Sequence, residues 1–257
     1  MLTYTRFPLT FAECWYTKAK PPKNVDVVHY FQLPSAPRCG YVEEFKTIAI
    51  DLRESKDELF RGLNKTTRNE IRRAASDDCV YEFLSLDIAR YLKEFLAFYE
   101  TNTLVKGSST EATRWASRYA ANGTLNLSRV IQSSGRELVW HAYFRDGDRA
   151  RLKYSVCLSQ HAEEGNARAV ISRANRFAHW KDICHLKDSG ASMYDFGGWY
   201  TGTSDEKLLR VNQFKESFGG RLMTSYHSQQ AFSTWGKLFL VANGIRRRLR
   251  ACERLSH

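Results

Sequence analysis

The 257-residue chain lacks several patterns that would define its class directly. No stretch approaches the roughly 20 consecutive apolar residues that a membrane-spanning helix needs. The N-terminus has no basic start, apolar centre and small-residue cleavage site, so no signal peptide is indicated. Internal repeats and low-complexity segments are also missing. These absences favour a protein that is made and kept in the cytoplasm, and we expect that location.

Metal-binding and nucleophile motifs are equally scarce. Six cysteines are spread singly without a CxxC pair, so reduced, mostly buried thiols are expected rather than a zinc or redox site. His179 and His185 are six residues apart and do not share a helix face. His141 can serve as a general base, although a core or surface position is favoured. No serine triad or carboxylate pair can be argued. We therefore predict no metal and no permanently bound cofactor.

Positive charge is in clear excess. The formal net charge is +11 and the pI is about 9.4. Such a surplus favours anionic partners, which include phosphates, nucleic acid and an anionic membrane surface, but it does not choose among them. A basic protein without a polyanionic partner remains the alternative. Hydrophobic residues make up 43% of the chain, enough for a sizeable core.

The order of predicted elements favours an α/β fold around a mixed sheet. Strands are predicted at 25–33, 45–52 and 80–84, with helices at 56–76, 87–99 and 110–121. Three strands at 125–132, 138–144 and 149–157, joined by short Gly-containing turns, form an antiparallel meander. A helix over 167–188, a strand ending at Phe196, a helix over 207–218 and a strand over 221–226 follow. We expect N-terminal strands (1–50) packed on a main domain (51–232), followed by a basic helix (233–257).

The helix predicted over 56–76 is apolar on one face and basic on the other. The basic residues are Arg61, Lys65, Arg68, Arg72 and Arg73, and only Glu70 offsets them. Side chains three and four apart on a helix project together, and arginine forks match phosphate oxygens. We predict that Lys65, Arg68, Asn69 and Arg72 bind substrate phosphates. The alternative is a solvated helix face.

Two segments carry a resemblance to a known family. Residues 194–198 read YDFGG, followed by Phe214-Lys215 and by Phe218-Gly219-Gly220, while residues 68–74 read RNEIRRA. In order and spacing across 63–220, these segments resemble the FemAB aminoacyltransferases. The resemblance implies a GNAT-like acyltransferase fold. Family members usually carry two GNAT-like halves, and this chain has room for one complete unit plus a short N-terminal remnant.

The resemblance also implies roles for individual residues. Two glycines at a strand end let a ligand approach the backbone closely, and in GNAT enzymes this edge holds the donor carbonyl. A tight turn after a core strand is the alternative. The family's catalytic lysine falls on Lys215, where a cation beside the tetrahedral oxyanion is worth about 3 kcal/mol. The alternative is a solvated surface lysine without a catalytic role. Asp195 is expected to orient the amine or its proton path. Phe214, Gly197, Gly198, Tyr154 and Trp199 are expected to bind substrate.

The implied activity is an N-acyltransferase in which an acceptor amine attacks an activated acyl or aminoacyl donor directly. The expected acceptor is an amino sugar, a muropeptide precursor or an amino acid, nucleotide-linked or lipid-linked, in cell-envelope, peptidoglycan or polysaccharide biosynthesis. Residues 163–168 read EEGNAR and lack the R/QxxGxG/A phosphate loop. Aminoacyl-tRNA or an acyl carrier protein is therefore favoured over acyl-CoA. A non-catalytic basic module that binds RNA or anionic lipid is the alternative.

The last predicted helix combines an apolar stripe with a basic end. The apolar residues are Trp235, Leu238, Phe239, Val241, Ala242, Ile245 and Leu249, and the cations at its end are Arg246, Arg247, Arg248 and Arg250. Such a helix can lie on an anionic membrane, which would place the protein peripherally at the inner face of the membrane. Alternatively, the stripe packs on the domain and the arginines complement the helix dipole. Gly244, which weakens the helix, favours this second interpretation.

Overall fold

The computed structural model describes residues 1–84, 87–103, 108–158 and 166–255. The strands are β1 (Leu2–Arg6), β2 (Leu9–Trp15), β3 (Val27–Leu33), β4 (Tyr41–Asp51), β5 (Cys79–Leu84), β6 (Leu125–Gln132), β7 (Glu137–Asp146), β8 (Arg149–Cys157), β9 (Met193–Gly198) and β10 (Arg221–Ala231). The helices are α1 (Lys56–Gly62), α2 (Lys65–Ser76), α3 (Ile88–Asn102), α4 (Ser108–Ala121), α5 (Asn166–Asp188), α6 (Glu206–Glu216) and α7 (Thr234–Leu255). This confirms the predicted α/β class.

The chain divides into two compact units. The larger unit is Thr47–Leu222, and the smaller one joins Met1–Lys46 to Met223–His257. Strands β4 and β10 each cross the boundary between the units along the chain. The domain boundaries that the sequence analysis placed after residues 50 and 232 stay a prediction.

The larger unit is built on a mixed sheet with strand order β4-β9-β8-β7-β6-β5. Strands β5 to β8 pair antiparallel in sequence order, which confirms the predicted meander. Helix α5 then crosses over so that β9 returns parallel to β8, and the end of β4 pairs antiparallel with β9. The sheet is mixed because α5 makes a crossover connection that brings β9 parallel to β8, whereas the pairs from β5 to β8 are antiparallel.

Helix α5 packs on this sheet. Ile171, Ala174 and Ile183 of the helix are almost completely buried, and they share a cluster with Val139 of β7 and Phe196 of β9. Fully burying an aliphatic or aromatic side chain of this size contributes roughly 1.5–3 kcal/mol. The packing of α5 therefore fixes the strands that carry the candidate site.

The single helix predicted over 56–76 is wrong, because the structure has two helices separated at Leu63 and Asn64. Leu63 is extended, and the Asn64 side chain caps α2 by accepting a hydrogen bond from the Thr67 backbone N–H at 2.7 Å. Gly62 favours the break because glycine is a poor helix former. The Asn64 backbone N–H also donates to the carbonyl of Ser217, so a tertiary contact stabilises the break. The apolar face predicted along this stretch is nevertheless largely buried. Its buried positions are Leu59, Leu63, Thr67, Ile71 and Ala74, and Phe60 is partly buried.

The smaller unit contains four strands in the order β1-β2-β3-β10 and helix α7. Its apolar cluster contains Leu9, Phe11 and Val27, against which Phe239 and Leu240 of α7 pack. Within the described part of the chain, no helix combines the length and apolar character needed to cross a membrane.

Candidate active site

The strand β9 ends in a backbone turn that holds the carboxylate of Asp195. Asp195 is 3% exposed, and its Oδ1 accepts a hydrogen bond from the Gly197 backbone N–H at 2.6 Å. The Thr47 hydroxyl lies within hydrogen-bonding distance of the same Oδ1 and of the Gly197 carbonyl oxygen. Gly197 has φ +80°, a left-handed conformation that favours glycine. The geometry of this strand end therefore favours glycine at position 197 and a hydrogen-bond acceptor at position 195.

Strands β8 and β9 stop pairing at the same point. Their parallel register covers Arg149 with Met193, Ala150 with Tyr194, and Arg151 with Asp195. Both strands continue beyond these three pairs, β8 to Cys157 and β9 to Gly198. A side chain at position 197 would bring its Cβ within 3.2 Å of the Leu152 carbonyl oxygen, so only glycine fits without a shift. The end of the regular pairing makes strand-edge backbone groups available for a ligand.

The side chain of Lys215 reaches this strand end from helix α6. Its Nζ donates a hydrogen bond of 2.5 Å to the Gly198 carbonyl oxygen. Burial lowers the pKa of Lys215 to about 8, with Asp195 opposing the shift and Arg151 adding to it. The pKa of Lys215 thus depends on two neighbouring charges, those of Asp195 and Arg151, and the three residues form one group of charges. Sequence reasoning did not identify Arg151, because β8 reads RARLKYSVC and nothing local distinguishes Arg151 from the other two cations of the strand.

Two of the predicted substrate-binding aromatic residues adjoin this group. Phe214 is partly buried, contacts the rings of His179 and Phe218, and lies under the guanidinium of Arg176 at 5.0 Å. Trp199 follows Gly198 and packs against the same core cluster. The structure therefore brings Asp195, Gly197, Gly198 and Lys215 together at the end of β9. Trp199 and Phe214 are their neighbours along the chain, and the rings of both pack on the core.

Tyr154 lies in a different environment from these residues. Its ring packs against Tyr99 of α3 and Trp115 of α4, at centroid distances of 5.2 and 5.5 Å. Burial is the main cause that raises its pKa above the ordinary value. These contacts give Tyr154 a packing role, and its predicted contact with substrate stays a prediction.

The basic residues of the predicted phosphate site are divided by the break between α1 and α2. Arg61 belongs to α1, and the guanidinium of Arg68 donates hydrogen bonds to the carbonyl oxygens of Arg61 and Leu63. Arg68 thus satisfies carbonyl groups at the end of α1, which otherwise lack helical partners. Arg72 is exposed, and its guanidinium lies 5.2 Å from the centre of the Phe60 ring. Lys65 and Asn69 are also exposed on α2, so these three side chains remain accessible for a phosphate.

A buried polar network lies between the sheet and α5, and sequence reasoning missed it. Asp182 accepts hydrogen bonds from the Tyr81 and Tyr143 hydroxyl groups, and its Oδ2 lies 2.6 Å from His141 Nδ1. His179 Nδ1 lies 2.7 Å from the Tyr194 hydroxyl. The signal was present in the sequence, since Asn175, His179 and Asp182 recur at helical spacing on the buried face of α5, and His141 and Tyr143 alternate on β7.

The burial of this network fixes protonation states. Burial, followed by the nearby charges of His141 and Lys215, lowers the pKa of His179 well below its ordinary value, so the ring is neutral near pH 7. Burial and the charge of Asp182 raise the pKa of both Tyr143 and Tyr194. Ligand atoms of His141, His179 and Asp182 lie within 4.8 Å of one another, a donor set that suits zinc. However, the carboxylate already accepts hydrogen bonds from two tyrosines and contacts a histidine, so the cluster is satisfied as a hydrogen-bond network.

Parts of two predictions lie outside the described residues. The sequence that lacks the CoA phosphate loop includes Glu163, Glu164 and Gly165, which the structure does not describe. The argument against CoA therefore rests on sequence alone. The arginines Arg246, Arg247, Arg248 and Arg250 belong to α7, but their side chains are not among those described.

Comparison with solved structures finds proteins that share this fold. FemX matches with a TM-score of 0.61 over 87% of this chain and 81% of its own, at 13% identity. The C-terminal domain (DUF2156) of a putative lysylphosphatidylglycerol synthetase from Agrobacterium fabrum matches with a TM-score of 0.51 over 86% of this chain and 73% of its own, at 12% identity. No family model and no curated protein matches by sequence. These two structural likenesses confirm the predicted resemblance at the level of the fold, which the chain shares with FemX.

Proposed function

We propose that this protein is an N-acyltransferase that uses the group at the end of β9 to form an amide bond. The observation that carries the proposal is the position of Lys215, whose ammonium group donates to the Gly198 carbonyl where β8 and β9 stop pairing. A surface lysine without function has no reason to be held, partly desolvated, against a strand end beside a buried carboxylate. This arrangement instead suits a site where negative charge develops on a carbonyl oxygen.

In the proposed reaction the acceptor amine attacks the carbonyl carbon of an activated donor, without an acyl-enzyme. The new C–N bond forms, the carbonyl oxygen becomes an oxyanion, and Lys215 stabilises that charge. The nitrogen then loses a proton toward Asp195 or solvent. The C–O or C–S bond to the donor carrier breaks, and the carrier leaves with the electron pair and takes up a proton. A cation or donor in this position is typically worth about 3 kcal/mol of transition-state stabilisation.

The proposed donor is carried by a polyanion, either aminoacyl-tRNA or an acyl carrier protein, with acyl-CoA disfavoured. The net charge of +11 and the exposed Lys65 and Arg72 on α2 support an anionic donor. The proposed acceptor is an amino sugar, muropeptide precursor or amino acid of cell-envelope or polysaccharide biosynthesis. The FemX-like fold supports this choice by analogy, since fold alone does not define a substrate.

The test is mass spectrometry of small-molecule products. The full chain is incubated with mixed aminoacyl-tRNA, acyl-loaded carrier protein or acyl-CoA, each combined with UDP-amino sugars, UDP-muropeptides or amino acids. A product heavier by one acyl group, absent with the Lys215→Met variant, supports the proposal. Binding of RNA or anionic lipid by the wild type, without product in any combination, would instead support a non-catalytic basic module.

A further inference from the structure

Helix α7 of the smaller unit carries an apolar surface that the described part of the chain leaves uncovered. Trp235 is 70% exposed, Leu238 is 56% exposed and Val241 is 62% exposed. The spacing of three residues places them along one side of the helix, and we call these three residues the exposed ridge. Phe232, just before the helix, is exposed as well. Contiguous exposed apolar side chains of this size mark an interaction site more often than scattered ones do.

The opposite side of α7 is firmly attached to its own unit. A Cβ at Gly236 would lie 2.2 Å from the Asp26 carbonyl oxygen, so the helix approaches the strand backbone closely there. The Ser233 hydroxyl contacts the Asp26 carboxylate and accepts a hydrogen bond from the Gly236 N–H at 3.0 Å, which caps the start of the helix. Phe239 packs edge-on against Phe11 at 5.2 Å. The orientation of the helix is thereby set, and the ridge faces away from this contact.

The stripe predicted from sequence is thus two surfaces rather than one. Phe239 and Leu240 supply the packing that attaches α7 to the unit, as the packing interpretation required. The exposed ridge takes no part in that packing. Apolar side chains that stay exposed bury little surface and so do not stabilise the fold. A helix whose only role was to complete the core would be better served by polar residues at positions 235, 238 and 241.

The charge of the helix indicates what covers the ridge. Between Thr234 and Leu255 the sequence has six cations, namely Lys237, Arg246, Arg247, Arg248, Arg250 and Arg254, against the single carboxylate of Glu253. Apolar side chains led by tryptophan, combined with clustered arginines, are typical of helices that lie in the interface of an anionic bilayer. A second copy of this chain would bring the same cations together and would be repelled.

We propose that α7 binds an anionic lipid surface, with Trp235, Leu238 and Val241 inserted at the headgroup boundary and with the net positive charge of the helix sequence as the source of attraction. The ridge supplies apolar burial and the positive charge supplies attraction, so both contribute to binding. This docking surface is independent of the reaction at Lys215, and either proposal can fail without the other.

The experiment is flotation of the full chain with vesicles of phosphatidylcholine alone and of phosphatidylcholine mixed with phosphatidylglycerol. We expect binding to the mixed vesicles that weakens as salt rises. The Leu238→Ser/Val241→Ser variant should lose at least about tenfold in its partition coefficient, because two aliphatic side chains no longer insert. The matched control is Leu208→Ser/Val211→Ser, which removes a similarly spaced exposed pair from α6 and should bind like the wild type.

Three outcomes would overturn the proposal. Absence of wild-type binding to the mixed vesicles at low salt would exclude a lipid surface. Equal binding by the Leu238→Ser/Val241→Ser variant and the wild type would show that charge acts without the ridge. A wild-type dimer in light scattering that becomes a monomer in this variant, without vesicle binding, would assign the ridge to a second copy. Circular dichroism of each variant checks that the fold is retained.

Discussion

Replacing Lys215 with methionine separates the catalytic role of this residue from its effect on stability. The pKa of Lys215 lies at about 8 rather than 10.5, with burial as the largest cause. A difference of this size means that the protein disfavours the charged form by roughly 3 kcal/mol relative to water. Methionine loses the hydrogen bond to the Gly198 carbonyl, which costs about 1 kcal/mol, less than the penalty that it removes. Methionine has a similar length and no charge, so the variant should unfold at the same temperature as the wild type or a higher one.

The catalytic effect should have the opposite sign. Loss of the donor beside the oxyanion should lower kcat by about a hundredfold or more. The assay is the rate of product formation with the donor and acceptor pair identified by mass spectrometry, together with thermal unfolding of each variant. Lys207→Met is the matched control, since Lys207 lies exposed at the start of the same helix. A Lys215→Met variant with wild-type kcat would refute the oxyanion role, and one with normal stability but no activity would support it.

The ionisation of Lys215 should also appear in the pH profile. The protonated form is lost as pH rises through about 8, so kcat/KM should fall there, and Lys215→Arg should move that fall to higher pH; an unmoved profile would contradict this. Arg72→Gln should raise KM several-fold at low salt. Arg68→Gln should instead lower the free energy of unfolding by about 1 kcal/mol, because it removes the hydrogen bonds to the α1 carbonyl groups. Equal effects of the two variants on KM, without destabilisation by Arg68→Gln, would contradict these separate roles. Asp182→Asn should lower the free energy of unfolding, measured in urea, by about 3 kcal/mol. The exposed control Asp188→Asn should lower it by less than about 1 kcal/mol. Similar losses of stability in the two variants would argue against a structural role for the buried network.

Local sequence determined the elements whose signals are short-range. Gly135 and Gly147 have positive φ in the turns that join β6, β7 and β8, so the meander could be predicted from turn chemistry alone. Helix α5 was predicted over 167–188, and its observed start at Asn166 differs by one residue. The positive φ of Gly197 likewise agrees with the prediction of a special backbone position at the end of β9.

The break after Gly62 shows where such reasoning failed. The apolar period runs through residues 59–74 without interruption, so the pattern alone indicates one helix. The contact between Asn64 and the Ser217 carbonyl joins segments more than 150 residues apart, and no local propensity encodes it. The same break removed Arg68 from the basic surface by giving its guanidinium backbone carbonyl partners.

The site divides in the same way between sequence and tertiary structure. The sequence by itself determined that a glycine-ended strand and a lysine on the following helix exist, because the chain order and residue types are sufficient for that prediction. Only the tertiary structure decided that Lys215 reaches Gly198, that Arg151 lies beside Asp195, and that Asp182 meets Tyr81 and His141. The physical reason is that electrostatic and hydrogen-bond partners are selected by distance in space. That distance is fixed by how α5 and α6 pack on the sheet, and packing sums many weak contacts distributed along the whole chain.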